Sequence, residues 1–245
     1  MTKALSLAVL FAIWEVAALV AQSRLLPTPG TIIGTIGLEI RSGEMPFQFA
    51  CTLGRVGVAF TVAFVLGTII GTAMGRVPVV DRFFDPWVVI LLNLPALVVI
   101  IFAYLWIGLD ETAAIVAVVL NKLPNVIVTT REGARAMDAH LAEMAQVFRF
   151  SALKRLRHLL LPQLAPYLAI AARSGLSTVW KIVLVVELLG RPNGVGFVLG
   201  TSFSLFDVTK ILAYALMFVA LMLGVEILGV QPFERRAARW RPRRV

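Results

Sequence analysis

The chain has 245 residues, 59% of them hydrophobic and 15% charged, with a formal net charge of +9. Soluble domains carry about a quarter charged residues, and a mean hydropathy of +0.89 excludes that class in favour of an integral membrane protein. The one cysteine, Cys51, excludes an internal disulfide and a multi-cysteine metal site.

At about 20 residues per span, six stretches are apolar enough to cross: roughly 5–21, 56–75, 86–107, 112–130, 165–189 and 209–230. The expected fold is all-α, a single membrane domain over 1–245. The first span is short and ends in Leu19-Val20-Ala21, which resembles a small-residue cleavage site. A retained helix is the preferred reading, and the later spans make a membrane protein either way. LPTPG at 26–30 is a turn, and the mixed stretch 31–48 reads as a short interfacial helix. Gly67, Gly71 and Gly75 recur every four residues and place three hydrogen side chains on one helix face. Packing within one subunit is preferred there to a dimer seam. Pro95 and Pro124 lie within spans and are expected to bend them. GRPNGVGFVLG at 190–200 is glycine-rich, but its spacing and lack of a βαβ setting exclude a dinucleotide fingerprint.

The basic residues set the orientation. With the N-terminus cytoplasmic, 15 of the 23 Lys and Arg fall in cytoplasmic segments, chiefly around residues 76–82, 131–157 and 235–244. The reversed topology would put that charge outside, against the positive-inside bias. Both termini are therefore expected in the cytoplasm. The run RRAARWRPRR in the basic tail 231–245 reads as a contact with anionic membrane lipids. Nucleic-acid binding is the weaker reading and is not expected.

The segment 131–164 is then a charged cytoplasmic loop. Met137, Leu141, Met144 and Phe148 share one helical face, and Leu153, Leu156 and Leu160 form a second stripe. Two short amphipathic helices are expected, with Pro162 stopping or bending the chain before the fifth span. Amphipathicity alone does not distinguish this from a helix resting on lipid.

Spacing goes further. Glu143-Met144-Ala145 is followed by three residues, Arg149, nine residues and Leu159-Leu160-Leu161-Pro162. This resembles the EAA loop of binding-protein-dependent ABC importer permeases, whose pattern is EAA, three residues, Gly, nine residues, I-x-L-P. Arg149 departs from it, since glycine there permits a left-handed turn that arginine adopts only at a steric cost. Other pieces point to the nitrate, sulfonate and taurine importer permeases: LPTPG, TLGRVGVAFTVAFVLGTIIGTAMG, DPWVVILLNLPALVVIIFAYLWIGL, REGARAMD and VVELLGRPNGVGFVLG, in that order over most of 25–230. The resemblance implies the type I importer fold in a bacterial-type inner membrane. It implies a second permease subunit (a homodimer is favoured), a cytoplasmic ABC ATPase dimer and an extracytoplasmic solute-binding protein. ATP and Mg would be held by the ATPase, with no cofactor or metal on this chain. It also implies that Glu143, Met144, Ala145, Phe148, Arg149, Leu161 and Pro162 carry coupling to the ATPase.

Ionisable residues inside spans are costly and default to functional candidates. Here they are Glu15, Lys122, Arg173, Lys181, Glu187 and Glu226. Asn121, Lys122, Asn125, Ser177 and Lys181 would supply donors and positive potential along an anion path. Internal pairing of the acids and bases is the preferred reading of these residues. No G-x-x-x-x-G-K-[ST], H-E-x-x-H or G-x-S-x-G is present, so ATP hydrolysis is expected elsewhere and no catalytic residue is assigned. The expected function is import of a small anion. A membrane scaffold and a lipid-surface enzyme are the alternatives. The solute itself, among nitrate, sulfonates, taurine, bicarbonate, aromatic carboxylates or a vitamin precursor, is left open.

Overall fold

A computed structural model of the chain describes residues 2–23, 25–225 and 227–228, and among them every regular element is helical. The chain divides into two compact units, Met1–Gly54 with Leu184–Gly224, and Arg55–Val183 with Val225–Val245.

The first unit holds α1 (Thr2–Ala21), α2 (Pro29–Arg41), the start of α3 (Glu44–Arg76), the end of α9 (Leu161–Gly190), α10 (Val195–Ser204) and α11 (Val208–Val225). The proline-glycine turn becomes the start of α2. Thr28 Oγ1 accepts from the N–H of Thr31 at 3.3 Å, and Pro29 sits where its missing N–H costs nothing. The core packs Met45, Phe49, Val195, Val198 and Tyr214. The Phe49 and Tyr214 rings stack at 6.1 Å, while Tyr214 Oη donates to Glu39 at 2.9 Å. Lys210 Nζ reaches the other oxygen of the same carboxylate at 2.9 Å.

The second unit holds the rest of α3, α4 (Pro78–Asn93), α5 (Ala96–Ile107), α6 (Glu111–Arg135), α7 (Ala139–Val147), α8 (Ala152–Arg155) and most of α9. Asp110 caps α6 by accepting from the N–H of Ala113 at 2.7 Å. The glycine stripe of α3 packs on α6. A Cβ on Gly71 would stand 2.5 Å from the Ile127 carbonyl oxygen, and one on Gly75 2.6 Å from that of Arg131. The close approach is thus made within one subunit, as expected. Met74, Val88 and Ile127 form the buried cluster beside it.

The expected spans correspond to these helices in chain order. Among the described residues four helices are long and apolar enough to cross, α3, α6, the run Ala152–Gly190 and α11, where six spans were expected. The expected third span is two helices, Pro78–Asn93 and Ala96–Ile107, bent by 100°. Pro95 explains the break, because it drives the residue before it out of the helical region, and Leu94 has ψ 125°. Counted as one broken span, the pair makes five. The segment expected as the first span lies within α1, a 20-residue helix. Pro124, by contrast, does not interrupt α6.

The segment 131–164, expected as two short helices, also differs. After α7, the chain runs from Ala152 to Gly190 as one helix of 39 residues. Pro162 does not end it. A π turn at Leu156–Leu160, in which the Leu161 N–H donates to the Leu156 carbonyl, precedes the proline. The wider turn absorbs a ring that lacks an N–H and would strike an α-helical carbonyl. Glu226 and the basic tail 231–245 lie outside the described residues.

Candidate functional site

The EAA-like segment is built by local rules. Asp138 caps α7, accepting from the N–H of His140 at 2.8 Å, and its own N–H donates to Gln163 Oε1 at 2.9 Å. At the other end the N–H of Phe150 donates to the Ala145 carbonyl, and that of Arg149 to Gln146, each at 2.9 Å. These two bonds form a Schellman motif. It requires a left-handed residue, and Arg149 takes that conformation at φ 48°. The arginine therefore keeps the turn that glycine normally makes, with the steric cost expected of a Cβ there. Ser151 then caps α8 by accepting from the N–H of Lys154.

The segment presents its apolar side outward. Val147 is 79% and Phe148 69% exposed, with Leu141, Met144, Leu153, Leu156 and Leu161 also exposed, as is Pro162. The Glu143 side chain is 73% exposed, with one carboxylate oxygen 3.8 Å from His140 Nδ1. Ala145 is completely buried, so within this group it packs α7 onto its own chain. Val147 was not singled out from the sequence. It ends α7 next to Phe148, off the i, i+4, i+7 stripe, and its side chain is left exposed.

The segment is anchored through α6. Arg131 Nη1 donates to Asp85 at 2.5 Å and lies 3.4 Å from Asp81, while Arg135 pairs with Asp81 and, at 3.0 Å, with Glu132. These bonds tie α4 to the end of α6 that leads into α7. No sequence pattern singled out Asp81 or Asp85, because the two acids lie about 50 residues from their partners.

The candidate path residues stand in different surroundings, some buried and some exposed. Lys122 is 3% exposed and lies across Gly175 of α9, where a Cβ would stand 3.0 Å from Lys122 Cε. Asn121 donates to the Ala117 carbonyl at 2.8 Å, and Asn125 faces outward. Ser177 and Lys181 lie on the exposed side of α9, with Arg173, Ser174 and Thr178. Together these five form a polar stripe at helical spacing.

Glu187, fully buried, belongs to a different cluster in the first unit. Its Oε2 accepts from Thr52 Oγ1 and from the N–H of Gly196, each at 2.9 Å. Thr52 Oγ1 in turn accepts from the N–H of Val195 at 2.8 Å, and Gln48 Oε1 from that of Gly194 at 2.5 Å. This carboxylate and its neighbours satisfy the N-terminal donors of α10. Gly194, at φ 107°, is required because a Cβ would overlap the Glu187 carboxyl group. The glycine-rich stretch thus serves internal hydrogen bonding.

The comparisons agree with this architecture. The family profile described as binding-protein-dependent transport system inner membrane component matches residues 63–231. The protein named as the aliphatic sulfonates transport permease SsuC of Bacillus subtilis is 30% identical over 236 residues, covering 96% of this chain and 85% of that protein. The nitrate import permease protein NrtB of Synechococcus elongatus is 21% identical over 209 residues, 81% of this chain and 75% of that protein. A chain of the MetNI methionine ABC transporter in an inward-facing conformation superposes with a TM-score of 0.65 at 20% identity, over 77% of this chain and 93% of that one. The last likeness supports the all-helical type I permease fold. On the profile match and the 30% identical relative, the chain belongs to the family of binding-protein-dependent transport system inner membrane components, the permease subunits of ABC importers.

Proposed function

We propose that this chain carries a small oxyanion, of the sulfonate or nitrate class, across a bacterial inner membrane. Hydrolysis of ATP by a separate cytoplasmic ATPase drives the movement. The observation that carries the reading is the exposed apolar surface of Met144, Val147 and Phe148 on α7, at the EAA spacing and ahead of a closed Schellman turn. An ATPase cleft would cover that surface, and its closure on ATP would pull α7. The ion pairs of Arg131 and Arg135 would pass the pull to α4. Solute would arrive on an extracytoplasmic binding protein, with both chain termini on the cytoplasmic side.

The polar stripe of α9 supports an anion path. Arg173 and Lys181 stand exposed along a helix otherwise suited to lipid. Ionisable side chains in spans face a protein interior or a water-filled cavity rather than lipid. A second copy of the chain would cover this face, leaving basic and hydroxyl groups along a shared passage. Relatives named for sulfonate and nitrate transport favour the same solute class.

The test is ATP hydrolysis by the chain co-purified with its ATPase in lipid, with and without solute-loaded binding protein. Loaded protein should raise hydrolysis, and Glu143→Lys should weaken ATPase association while leaving membrane insertion intact. Normal ATP-driven uptake by Glu143→Lys would remove the coupling assignment.

A further inference from the structure

Beside the coupling turn lies a cavity of about 330 Å³ in the second unit. That is near the lower bound of small-ligand clefts, roughly 300–1,000 Å³. Its wall includes Arg76, Arg155, Met137, Phe150, Leu156 and Leu160. Arg76 is the last residue of α3, and Arg155 lies on the extension that precedes the apolar part of α9. Both guanidiniums therefore sit where apolar spans end.

These two arginines differ from their basic neighbours. Arg131 and Arg135, from the same charged segment, are each held by carboxylates of α4. Among the described residues neither Arg76 nor Arg155 pairs with a carboxylate, and Arg76 donates only to the Met137 sulfur, at 3.3 Å. A guanidinium carries five donors and keeps its charge. Two of them in one cavity, with the rest of the wall apolar, match a group that has oxyanion oxygens at one end and hydrocarbon at the other. A diffuse excess of positive charge explains exposed lysines and arginines in general. It does not explain two guanidiniums sharing a cavity lined with leucine and phenylalanine.

We propose that this cavity binds one anionic phospholipid, its phosphate on Arg76 and Arg155 and the start of an acyl chain against Met137, Phe150, Leu156 and Leu160. Bidentate guanidinium–phosphate bonds are the strong, oriented kind. Phe150 is the residue whose N–H closes the Schellman turn, so a bound lipid also braces that turn against α3. The inference goes beyond the transport reading, and its test reads lipid binding rather than uptake.

The experiment uses the full chain with its ATPase, exchanged from nanodiscs of phosphatidylcholine with phosphatidylglycerol into mild detergent and weighed by native mass spectrometry. The parent chain is expected to retain one phosphatidylglycerol per copy. Arg76→Gln/Arg155→Gln should retain about tenfold less, a change of roughly 1.4 kcal/mol, and Arg76→Lys/Arg155→Lys an intermediate amount. Arg82→Gln/Arg157→Gln removes two exposed charges from the same zone outside the cavity and should retain lipid like the parent. Equal loss in both glutamine pairs would overturn the proposal in favour of diffuse attraction. Displacement of the lipid by millimolar inorganic phosphate would overturn it in favour of a free-anion site. Retention only by the chain freed of its ATPase would overturn it in favour of a contact with the ATPase.

Discussion

The N–H of Phe150 donates to the carbonyl oxygen of Ala145 at 2.9 Å, across a turn whose left-handed residue is Arg149. A buried alanine of α7 is thereby linked to the residue just before Ser151, the cap of α8. Side chains with a Cβ pay about 1–2 kcal/mol for this conformation, and β-branched ones fit it worst. Arg149→Gly should keep the turn, and Arg149→Val should weaken it by about 1–2 kcal/mol relative to glycine. Amide hydrogen exchange at Phe150 is the measurement. Equal protection in the two variants would mean that the turn does not depend on a left-handed residue.

The stripe on α3 makes a second prediction. Gly71→Ala places a methyl group against the Ile127 backbone, whereas a Cβ on Gly57 meets nothing within 4 Å. Overpacking of this kind costs about 1–3 kcal/mol. Alanine at Gly57 should be neutral or stabilising by up to about 1 kcal/mol, since it improves helix propensity. Thermal unfolding in detergent should separate the two, and a Gly71→Ala protein as stable as its parent would contradict the packing described.

The third prediction concerns the α10 anchor. Thr52→Val removes the acceptor of the Val195 N–H and a donor to Glu187. A buried donor left without its acceptor costs about 1–3 kcal/mol. Exchange at the Val195 amide should accelerate strongly, while Thr52→Ser retains most of the protection. Unchanged exchange in the valine variant would show that another acceptor replaces the threonine.

The fourth addresses the link between α4 and α6. Asp81 accepts from Arg135 and lies 3.4 Å from Arg131. Partly exposed pairs are worth up to about 1 kcal/mol each. Asp81→Arg should therefore lower solute moved per ATP by about two- to fivefold, since 1.4 kcal/mol is tenfold. The exchange Asp81→Arg/Arg135→Asp should recover at least half of that loss. A fall in total ATPase activity without a change in this ratio would assign the pairs to stability alone.

Much of the site was legible because its determinants are local. The run from Glu143 to Pro162 and the left-handed demand at Arg149 both depend on neighbours within a few residues. The glycine stripe was legible for the same reason, as a helical period. The break at Pro95 was only half legible. Proline strains any helix, yet Pro95 coincides with a 100° break and Pro124 stays inside a continuous helix. At Pro162 the helix continues past a π turn, so the proline does not stop the chain.

Composition, period and charge placement by themselves determined a helical membrane protein with a charged, amphipathic segment between spans. They did so because lipid demands apolar helices and local backbone rules shape short turns. Only the tertiary structure decided which polar groups meet. Asp81 and Asp85 find Arg131 and Arg135, and Thr52 and Glu187 hold α10. Those pairings join residues far apart in the chain. They are set by how helix faces pack, and no local spacing records that.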